Sequence, residues 1–386
     1  MSFDVLIVSK PRKSHCKPTL HLIIFSCYPV NMVQRLQTAL VGTPEGGIRL
    51  SKTEPVPDIT GDSVLIKTKA VSVNPVDTKM IGPYVTPGAV AGFDFAGVVE
   101  QVGPEATKCD IHVGDRVCTA IMGMNPLDPH VGAFSEYTAA VEWILLKIPP
   151  HLSFEEGASL GISFMTTGLA LFKSLGLPGN PLEPTTEPIP VLVYGGSSAT
   201  GTAAVQLVKL AGFEPIATCS PRNFDLVKSY GASAVFDYQD PNCTSDIRKY
   251  TKNKIKYALD CISTTSSMQF CYQAIGRAGG KYTALEPYSE AVARTRKVVK
   301  PDWIMGPQML GKEIRWPEPH WRPANAEMGD FGVYWTAVLR KLLDKGLIRP
   351  HPIVFKQGGL PEVLGGIEDI REKRISGKKL VFQIET

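Results

Sequence analysis

Apolar segments in the second half of the chain alternate regularly with segments of helical character. The apolar or β-branched segments are 191–194, 215–219, 234–238, 257–262 and 280–285. Strands and helices that alternate at this spacing predict a parallel, doubly wound sheet, whose ligands bind beyond the carboxyl ends of the strands. Tyr238 and Leu285-Glu286 are therefore expected at the ligand-binding edge.

The first half of the chain has a different pattern. Between about 45 and 150, short alternating segments such as 63–71 and 97–103 are separated by Gly and Pro. This pattern predicts a compact, β-rich, barrel-like domain. Ser153 and Glu156 have the spacing of a capping box and predict the start of a helix.

The end of the chain returns to longer elements. A helix is predicted from about Gly332 to Lys345, and a terminal strand over 379–384. With 386 residues, 44% of them hydrophobic, the chain can bury a large core and is expected to form two domains.

Charge and cysteine content narrow the class of protein. A formal charge of +4 is too small to indicate nucleic-acid binding. The eight cysteines include no C-x-x-C pair and no zinc-like spacing. They indicate reduced thiols and a cytoplasmic protein.

Residues 1–31 resemble a secretory signal only superficially. A basic start is followed by an apolar stretch, 20–27, which is short, interrupted and without a cleavage site. It is also too short to span a bilayer, so no membrane association is expected. We interpret 1–31 as a disordered extension or a start-site artefact.

One segment combines a buried strand, a turn of small residues and a helix. The turn is Gly195-Gly196-Ser197-Ser198-Ala199-Thr200-Gly201, and Gly212 ends the helix. Glycines permit close approach of a ligand to the backbone, and a helix N-terminus attracts a pyrophosphate. The full G-x-G-x-x-G spacing is absent, because Ser198 and Ala199 stand where a second glycine is expected. The segment predicts a phosphate site, with a ligand-free strand-to-helix turn as the alternative.

The residues after the next strand indicate which dinucleotide binds. An NAD site has a carboxylate there, about twenty residues beyond the turn, for the ribose hydroxyls. This chain has Ser220-Pro221-Arg222-Asn223 and no acid. Ser220 and Arg222 can donate to a 2′-phosphate, which the guanidinium fork fits well. NADPH is therefore the predicted cofactor, and an exposed arginine at a helix start is the alternative for Arg222.

Five motifs together resemble the medium-chain dehydrogenase/reductase family in order and spacing. They are the glycine turn, Asn74-Pro75-Val76-Asp77, Gly92-Phe93-Asp94-Phe95-Ala96-Gly97, Val113-Gly114-Asp115-Arg116-Val117 and Gly132-Ala133-Phe134-Ser135-Glu136-Tyr137. The resemblance covers about 35 to 386. It implies an α/β fold with a GroES-like, β-rich barrel domain and a Rossmann domain with a doubly wound parallel sheet. The implied boundaries are 32–169 with 302–386 for the GroES-like catalytic and substrate domain, and 170–301 for the NADPH-binding domain.

Within that family the chain is most similar to the zinc-independent quinone and enoyl reductases. It looks closest to the fungal trans-acting enoyl reductases of highly reducing polyketide synthases, through the motifs at 194–200, 217–225, 257–262 and 274–280. Zinc-dependent relatives have a histidine and a carboxylate after the glycine of Gly92-Phe93-Asp94, and a four-cysteine lobe. Both are missing here, so no metal is expected. The expected chemistry is hydride delivery to a carbon made electrophilic by conjugation.

The resemblance also implies which residues contact the ligands. Those expected to contact the cofactor are Val76, Asp77, Thr78, Lys79, Ser197, Ser198, Ala199, Thr200, Ser220, Pro221, Arg222, Asn223, Tyr238, Leu285, Glu286, Ile375 and Ser376. Those expected to line the substrate channel are Ser163, Phe164, Met165, Thr166, Thr167, Gly168, Leu169, Ala170, Gly306, Pro307, Gln308, Met309 and Leu310. The segment 301–325, rich in tryptophan and proline, is a further candidate wall of the pocket, with packing alone as the alternative.

Lys79 and Thr167 are the candidate catalytic residues. Lys79 would hold the ribose or the substrate carbonyl in register, or would protonate the enolate if burial favoured its neutral form. The alternative is a lysine that pairs with Asp77 or extends to solvent. Thr167 would orient the thioester.

The function these observations predict is NADPH-dependent reduction of the α,β-double bond of a polyketide enoyl thioester. The substrate would be held on the carrier domain of a fungal polyketide synthase, or of a synthase–peptide synthetase hybrid, in secondary metabolism. The alternatives are a stand-alone quinone or enal reductase and a cofactor-binding protein without turnover.

A basic cluster is the predicted docking surface for the acidic carrier domain. Its members are Arg294, Arg296, Lys297 and Lys300. A solvated helix face is the alternative. Resemblance to the same group implies a monomer.

Overall fold

Two large sheets and a two-stranded hairpin carry the fold of residues 34–384, the part of the chain that a computed structural model describes. The predicted extension at 1–31 lies outside the described residues. The strands are β1 Leu36–Gly42, β2 Ile48–Pro55, β3 Ser63–Val73, β4 Asp94–Val102, β5 Arg116–Ala120, β6 Tyr137–Val141, β7 Leu146–Lys147, β8 Pro190–Tyr194, β9 Glu214–Cys219, β10 Ala234–Asp237, β11 Tyr257–Asp260, β12 Gly280–Ala284, β13 Val299–Trp303, β14 Ile353–Lys356 and β15 Lys379–Gln383.

Helices cover the sheets and connect their strands. They are α1 Pro75–Lys79, α2 Phe154–Gly157, α3 Gly161–Gly168, α4 Ala199–Leu210, α5 Phe224–Ser229, α6 Cys243–Tyr250, α7 Thr265–Ala274, α8 Glu290–Ala293, α9 Ala326–Asp344 and α10 Gly359–Arg371. A π-helical segment, Leu169–Ser174, continues α3. Across 34–384, no helix combines the length and the apolar character needed to cross a bilayer.

The second half of the chain forms the doubly wound parallel sheet that its strand–helix alternation predicts. The strand order is β10-β9-β8-β11-β12-β13, and every neighbouring pair is parallel. The chain enters at β8, winds outward through β9 and β10, and then crosses to β11 on the other side. Tyr194 at the end of β8 is therefore the neighbour of Asp260 at the end of β11. This reversal opens a crevice beyond the carboxyl ends of the strands, where ligands of such sheets bind.

The predicted domain boundary at 301 falls inside β13, which extends the parallel sheet to Trp303. Pro301 lies in the middle of this strand and cannot donate a backbone hydrogen bond. A proline is tolerated there because β13 is an edge strand.

The β-rich domain is a mostly antiparallel sheet in the order β14-β15-β3-β4-β5-β7, with β6 also paired to β3. Its long central strand, β3, pairs with β4, β6 and the C-terminal β15. Val71, Phe95 and Val117 are fully buried in its core. Ser72 pairs with Asp94 across β3 and β4, and β15 begins beside them, so the pairing brings the C-terminal strand to these residues.

Local capping signals explain where the helices begin. The Ser153 side chain accepts the Glu156 N–H at 3.2 Å, and the Glu156 carboxylate accepts the Ser153 N–H at 2.9 Å. The predicted capping box is thus confirmed. The helix predicted from Gly332 begins earlier, at Ala326, because the Asn325 side chain accepts the Met328 N–H and caps the first turn.

Candidate active site

A cavity of about 1050 Å³ lies where the carboxyl ends of the parallel strands face the β-rich domain. The loops that follow β8, β9, β11 and β12 supply one wall. The β3–α1 junction, the end of β5 and α3 supply the opposite wall. The cavity therefore lies at the crevice that the strand order creates.

The glycine turn forms the floor of one end of this cavity. Gly195 has φ +80°, and a Cβ on Gly201 would lie 2.2 Å from the carbonyl oxygen of Gly195. Helix α4 can approach β8 this closely only with glycine at position 201. The Ser198 side chain caps α4 by accepting the Gly201 N–H at 3.0 Å. Ser197, Ser198, Ala199 and Thr200 all line the cavity, so the N-terminus of α4 is directed at any ligand there.

The turn after β9 lies beside a segment from the far end of the chain. Ser220, Arg222 and Asn223 line the cavity, whereas Pro221 is exposed at the start of a 3₁₀ turn. The Arg222 Nη2 donates to the Ser376 hydroxyl at 3.1 Å. Further basic side chains of that C-terminal segment join the same wall: Arg371, Lys373 and Lys378. Sequence spacing did not find these three, because about 150 residues separate them from Arg222.

The opposite end of the cavity is largely apolar. Of the predicted substrate residues, Ser163, Met165, Thr166, Gly306, Pro307, Met309 and Leu310 line it. Phe164, Leu169 and Ala170 belong to the hydrophobic core instead, and the Gln308 side chain accepts the Met305 N–H. Consecutive helical residues face different directions, so one segment cannot place them all in one wall.

The structure gives Thr167 and Gly168 packing roles. The Thr167 hydroxyl is buried and donates to the Ser163 carbonyl at 2.6 Å. A Cβ on Gly168 would lie 1.9 Å from Trp335 Cε2, so this glycine admits the indole against α3. The hydroxyl beside the cavity is that of Thr166, one residue earlier.

A buried network of charged and polar groups lies beneath α1. The Asp94 carboxylate is fully buried and accepts hydrogen bonds from the Ser72 hydroxyl at 3.1 Å, the Asn74 amide at 3.1 Å and the Ile162 N–H at 2.7 Å. It also forms an ion pair with Lys379, which is itself buried and lines the cavity. The carboxylate of the Gly92-Phe93-Asp94 motif is thus neutralised by a lysine of the same chain.

Asp77, predicted to contact the cofactor, is buried beneath α1 instead. Its carboxylate accepts the Asn74 N–H at 2.7 Å, and its second oxygen has no hydrogen-bond partner among the described residues. Burial raises the pKa of Asp77 from its ordinary 3.8 to about 8, and the nearby Asp94 carboxylate adds to the rise. Asp77 therefore shapes the α1 turn and carries a proton at neutral pH.

The Asp77 carboxyl should make stability depend on pH. Above pH 3.8 the unfolded chain loses a proton that the folded protein keeps, so this contribution to stability is complete at low pH and is lost as the pH rises to about 8. Asp77→Asn keeps an oxygen for the Asn74 N–H. The free energy of unfolding of Asp77→Asn, relative to that of the wild type, should increase as the pH rises from about 4 to about 8. Urea unfolding across this pH range tests the prediction, and Asp225→Asn, at an exposed position, is the control. If the free energy of unfolding of Asp77→Asn changed with pH just as that of the wild type does, the prediction would be contradicted.

Lys79 lies at the edge of the cavity with its side chain 43% exposed. It pairs with the Glu286 carboxylate, which follows β12, and not with Asp77. The burial on which proton delivery by this lysine depends is absent, since its ammonium is in contact with both solvent and a carboxylate. Val76 and Thr78 line the cavity beside it, and Tyr238, Leu285, Ile375 and Ser376 complete the predicted cofactor wall.

Five further residues line the cavity: Tyr84, Trp316, His320, His351 and Lys379. Trp316 and His320 belong to the candidate wall 301–325, and the other three were not found from the sequence. The Trp316 indole donates to the Met124 carbonyl at 3.0 Å, which fixes part of the segment 301–325 as a wall. Burial lowers the pKa of His351 to about 4, and its Nδ1 lies 2.9 Å from the Thr202 hydroxyl. The only signal for His320 was its place in the segment rich in tryptophan.

The structure divides the predicted docking cluster. The Arg296 guanidinium donates to carbonyl oxygens at the end of α7, at 3.0 Å from Ile275 and 2.8 Å from Gly276. It satisfies carbonyls that a helix C-terminus leaves unpaired, so Arg296 has a structural role, and the docking prediction is carried forward on the other members of the cluster. The exposed members are Arg294, Lys297 and Lys300.

Comparisons with known proteins agree with this architecture. Residues 60–150 match the alcohol dehydrogenase GroES-like domain, and residues 199–285 match the zinc-binding dehydrogenase family. The crystal structure of CurK enoyl reductase has a TM-score of 0.72 at 17% identity and covers 90% of this chain and 99% of that one. An alcohol dehydrogenase superfamily protein from Novosphingobium aromaticivorans has a TM-score of 0.73 at 19% identity, with 91% and 100% covered. At these identities the two structures establish the fold.

Sequence relatives give a finer assignment. A trans-enoyl reductase from Gibberella fujikuroi is 96% identical over 354 residues, which cover 92% of this chain and all of the relative. The trans-enoyl reductase pvhC from Talaromyces variabilis is 63% identical over 351 residues, 91% of this chain and 98% of the relative. The chain belongs to the medium-chain dehydrogenase/reductase family, in the group that contains the fungal trans-enoyl reductases. The predicted family and fold class are confirmed.

Proposed function

We propose that this protein is an NADPH-dependent enoyl reductase that saturates the α,β-double bond of a polyketide thioester presented by a separate synthase. The observation that carries the proposal is the continuous cavity, with the glycine turn at one end and an apolar pocket at the other. The high identity to proteins named trans-enoyl reductases supports the same reaction.

The cavity residues fit a nicotinamide cofactor. Glycine at position 201 lets α4 approach β8 closely, since a Cβ there would clash with the Gly195 carbonyl oxygen. The capped N-terminus of α4 suits a pyrophosphate. Arg222 and the basic C-terminal segment suit a 2′-phosphate, which supports NADPH over NADH. When bound, the cofactor supplies a hydride to the β-carbon of the substrate.

The chain's own residues position the substrate and supply charge. Thr166 and Gly306 face each other on the cavity wall, since a Cβ on Gly306 would lie 3.5 Å from the Thr166 hydroxyl. Trp316 and Met309 supply apolar walls that exclude water. Lys79 holds Glu286 at the edge of the cavity, and we assign Lys79 to registration of the ligand rather than to proton delivery.

The direct test is reduction of an enoyl-pantetheine thioester and of the same chain on a carrier domain. NADPH oxidation with a saturated product is the expected result for both. Efficient reduction of free quinones without reduction of any enoyl thioester would instead favour a stand-alone quinone reductase. Tight NADPH binding with no turnover on any activated alkene would favour a non-catalytic protein.

The exposed basic residues Arg294, Lys297 and Lys300 are the docking surface we propose for an acidic carrier domain. They lie near the start of β13, and its other end reaches the cavity through Ile304. The pantetheine arm has to span this strand, roughly 15 Å at the usual rise per residue.

Arg294→Glu/Lys297→Glu should weaken reduction of carrier-bound substrate in a salt-dependent way and spare a short pantetheine thioester. Arg296→Glu is the contrasting variant, because it should lower the stability of the fold itself and reduce both activities. Equal effects of the double variant on the two substrates would reject this docking surface.

We also propose that the protein is a monomer in the cytoplasm. One edge of the parallel sheet is β13, where Pro301, Lys300 and Asp302 disfavour pairing with the edge strand of a second copy. The six described cysteines are free, as expected in a reducing compartment. Light scattering tests the oligomeric state.

A further inference from the structure

Four polar side chains form one hydrogen-bonded chain along the wall of the cavity. The Tyr84 hydroxyl lies 3.1 Å from Nδ1 of His320, and Nε2 of His320 lies 3.4 Å from the Glu286 carboxylate. The other oxygen of that carboxylate bonds the Lys79 ammonium. All four residues line the cavity, although they come from three distant parts of the chain.

Aromatic packing fixes the imidazole between its two partners. The Tyr84 ring meets His320 edge to face with centroids 5.1 Å apart, and the Trp303 ring meets it at 5.4 Å. The Arg322 guanidinium stacks on Trp303 at 4.4 Å and holds that ring in place. The charged and titratable groups facing the imidazole are thus Tyr84 and Glu286, with Lys79 beyond Glu286 and Arg322 beyond Trp303.

The row of hydrogen bonds from Tyr84 to Lys79 joins the inside of the cavity to solvent. The His320 side chain is 18% exposed, and the Lys79 side chain at the outer end is 43% exposed. Both imidazole nitrogens are engaged, so His320 can act on a substrate only through Tyr84. The geometry has the features of a proton relay: a hydroxyl inside, an imidazole in the middle and an ion pair outside.

We propose that His320 is the positioning residue of a relay that delivers a proton, through the Tyr84 hydroxyl, to the α-carbon of the reduced substrate. The inference rests on the proposed enoyl reduction, in which hydride addition to the β-carbon leaves an enolate. The α-carbon forms a bond to the hydroxyl proton of Tyr84, and the tyrosinate takes the Nδ1 proton of a protonated His320. The imidazole keeps its Nε2 proton on Glu286 and regains the other from solvent. One hydride and one proton are added across the double bond, so the step balances.

Single-turnover reduction of an enoyl-pantetheine thioester tests the relay. His320→Gln should slow the reduction roughly 10²-fold, in the range of a lost general acid, and leave the affinity for NADPH unchanged. Tyr84→Phe should have the same effect, and the double variant should be no slower than either single variant. The solvent deuterium isotope effect of the wild type should change in both. His112→Gln, the same substitution at an exposed histidine, is the matched control.

A second readout uses the protein without cofactor. The ring ¹⁵N resonances of His320 should report the two hydrogen bonds directly. Glu286→Gln should move chiefly the Nε2 resonance, and Tyr84→Phe chiefly the Nδ1 resonance.

The possible outcomes distinguish failure of the relay from failure of the proposed function. Retention of the wild-type rate and isotope effect by His320→Gln would overturn the relay and leave enoyl reduction standing. An inactive wild type would count against the proposed function, and unmoved His320 resonances in both variants would overturn the hydrogen-bond chain by themselves. Thermal unfolding of each variant identifies any loss of rate that comes only from a destabilised loop, and a loss of that kind would also overturn the relay.

Discussion

Lys379→Met should lower the free energy of unfolding by about 3–5 kcal/mol, the usual cost of leaving one partner of a buried ion pair uncompensated. The Lys379 side chain is 3% exposed and its partner Asp94 is fully buried. Methionine fills a similar volume, so the loss would come from charge and not from a cavity. Three hydrogen bonds from neutral donors to Asp94 remain, which places the loss nearer the lower end of the range.

Urea unfolding with a double-mutant cycle measures this pair. Asp94→Asn alone should also destabilise, because it leaves a buried ammonium, and Asp94→Asn/Lys379→Met should recover most of the loss. Lys378→Met is the matched control, since Lys378 is the exposed neighbour and surface substitutions change stability by about 0.5 kcal/mol or less. A Lys379→Met variant as stable as the control would show that the ion pair does not contribute.

The parallel sheet could be predicted from the sequence because each of its strands is a local apolar segment followed by a helix. Apolar strand residues such as Ala258 and Leu259, or Ile216 and Ala217, can be recognised from the local sequence without knowledge of distant residues. The start of α9 was missed because its first turn is mostly exposed and lacks a run of apolar residues, and only the Asn325 cap marks it.

Residues at the proposed nucleotide end, such as Gly201 and Arg222, could also be predicted from the sequence, since neighbouring turns set their positions. The residues at the proposed substrate end could not. Whether Thr166 or Thr167 faces the cavity depends on the rotation of α3, which Trp335 fixes through contact with Gly168. The Asp94–Lys379 pair and the contact of His320 with Tyr84 join residues 285 and 236 positions apart. Such pairings depend on tertiary structure, and no local period in the sequence encodes them.

We expect the basic wall around Arg222 to decide the choice of cofactor, so Arg222→Ala should raise the Michaelis constant for NADPH and leave that for NADH nearly unchanged. A charged hydrogen bond to the 2′-phosphate is worth about 1.5–3 kcal/mol, which corresponds to roughly a 10- to 100-fold increase. The Arg222 guanidinium already has a fixed orientation, because it donates to the Ser376 hydroxyl at 3.1 Å. Preorganisation of this kind lowers the cost of binding.

Steady-state kinetics with both cofactors measures the effect of Arg222→Ala. Arg374→Ala is the matched control, because Arg374 belongs to the same C-terminal segment but pairs with Asp369 and Glu372. Lys373→Ala should add to the loss for NADPH, since Lys373 lines the same wall and its positive charge acts on the same phosphate. Equal losses for NADPH and NADH in Arg222→Ala would instead mean that the guanidinium only holds the Ser376 segment against the turn, and the preference for NADPH would then have to come from Ser220 and the C-terminal lysines.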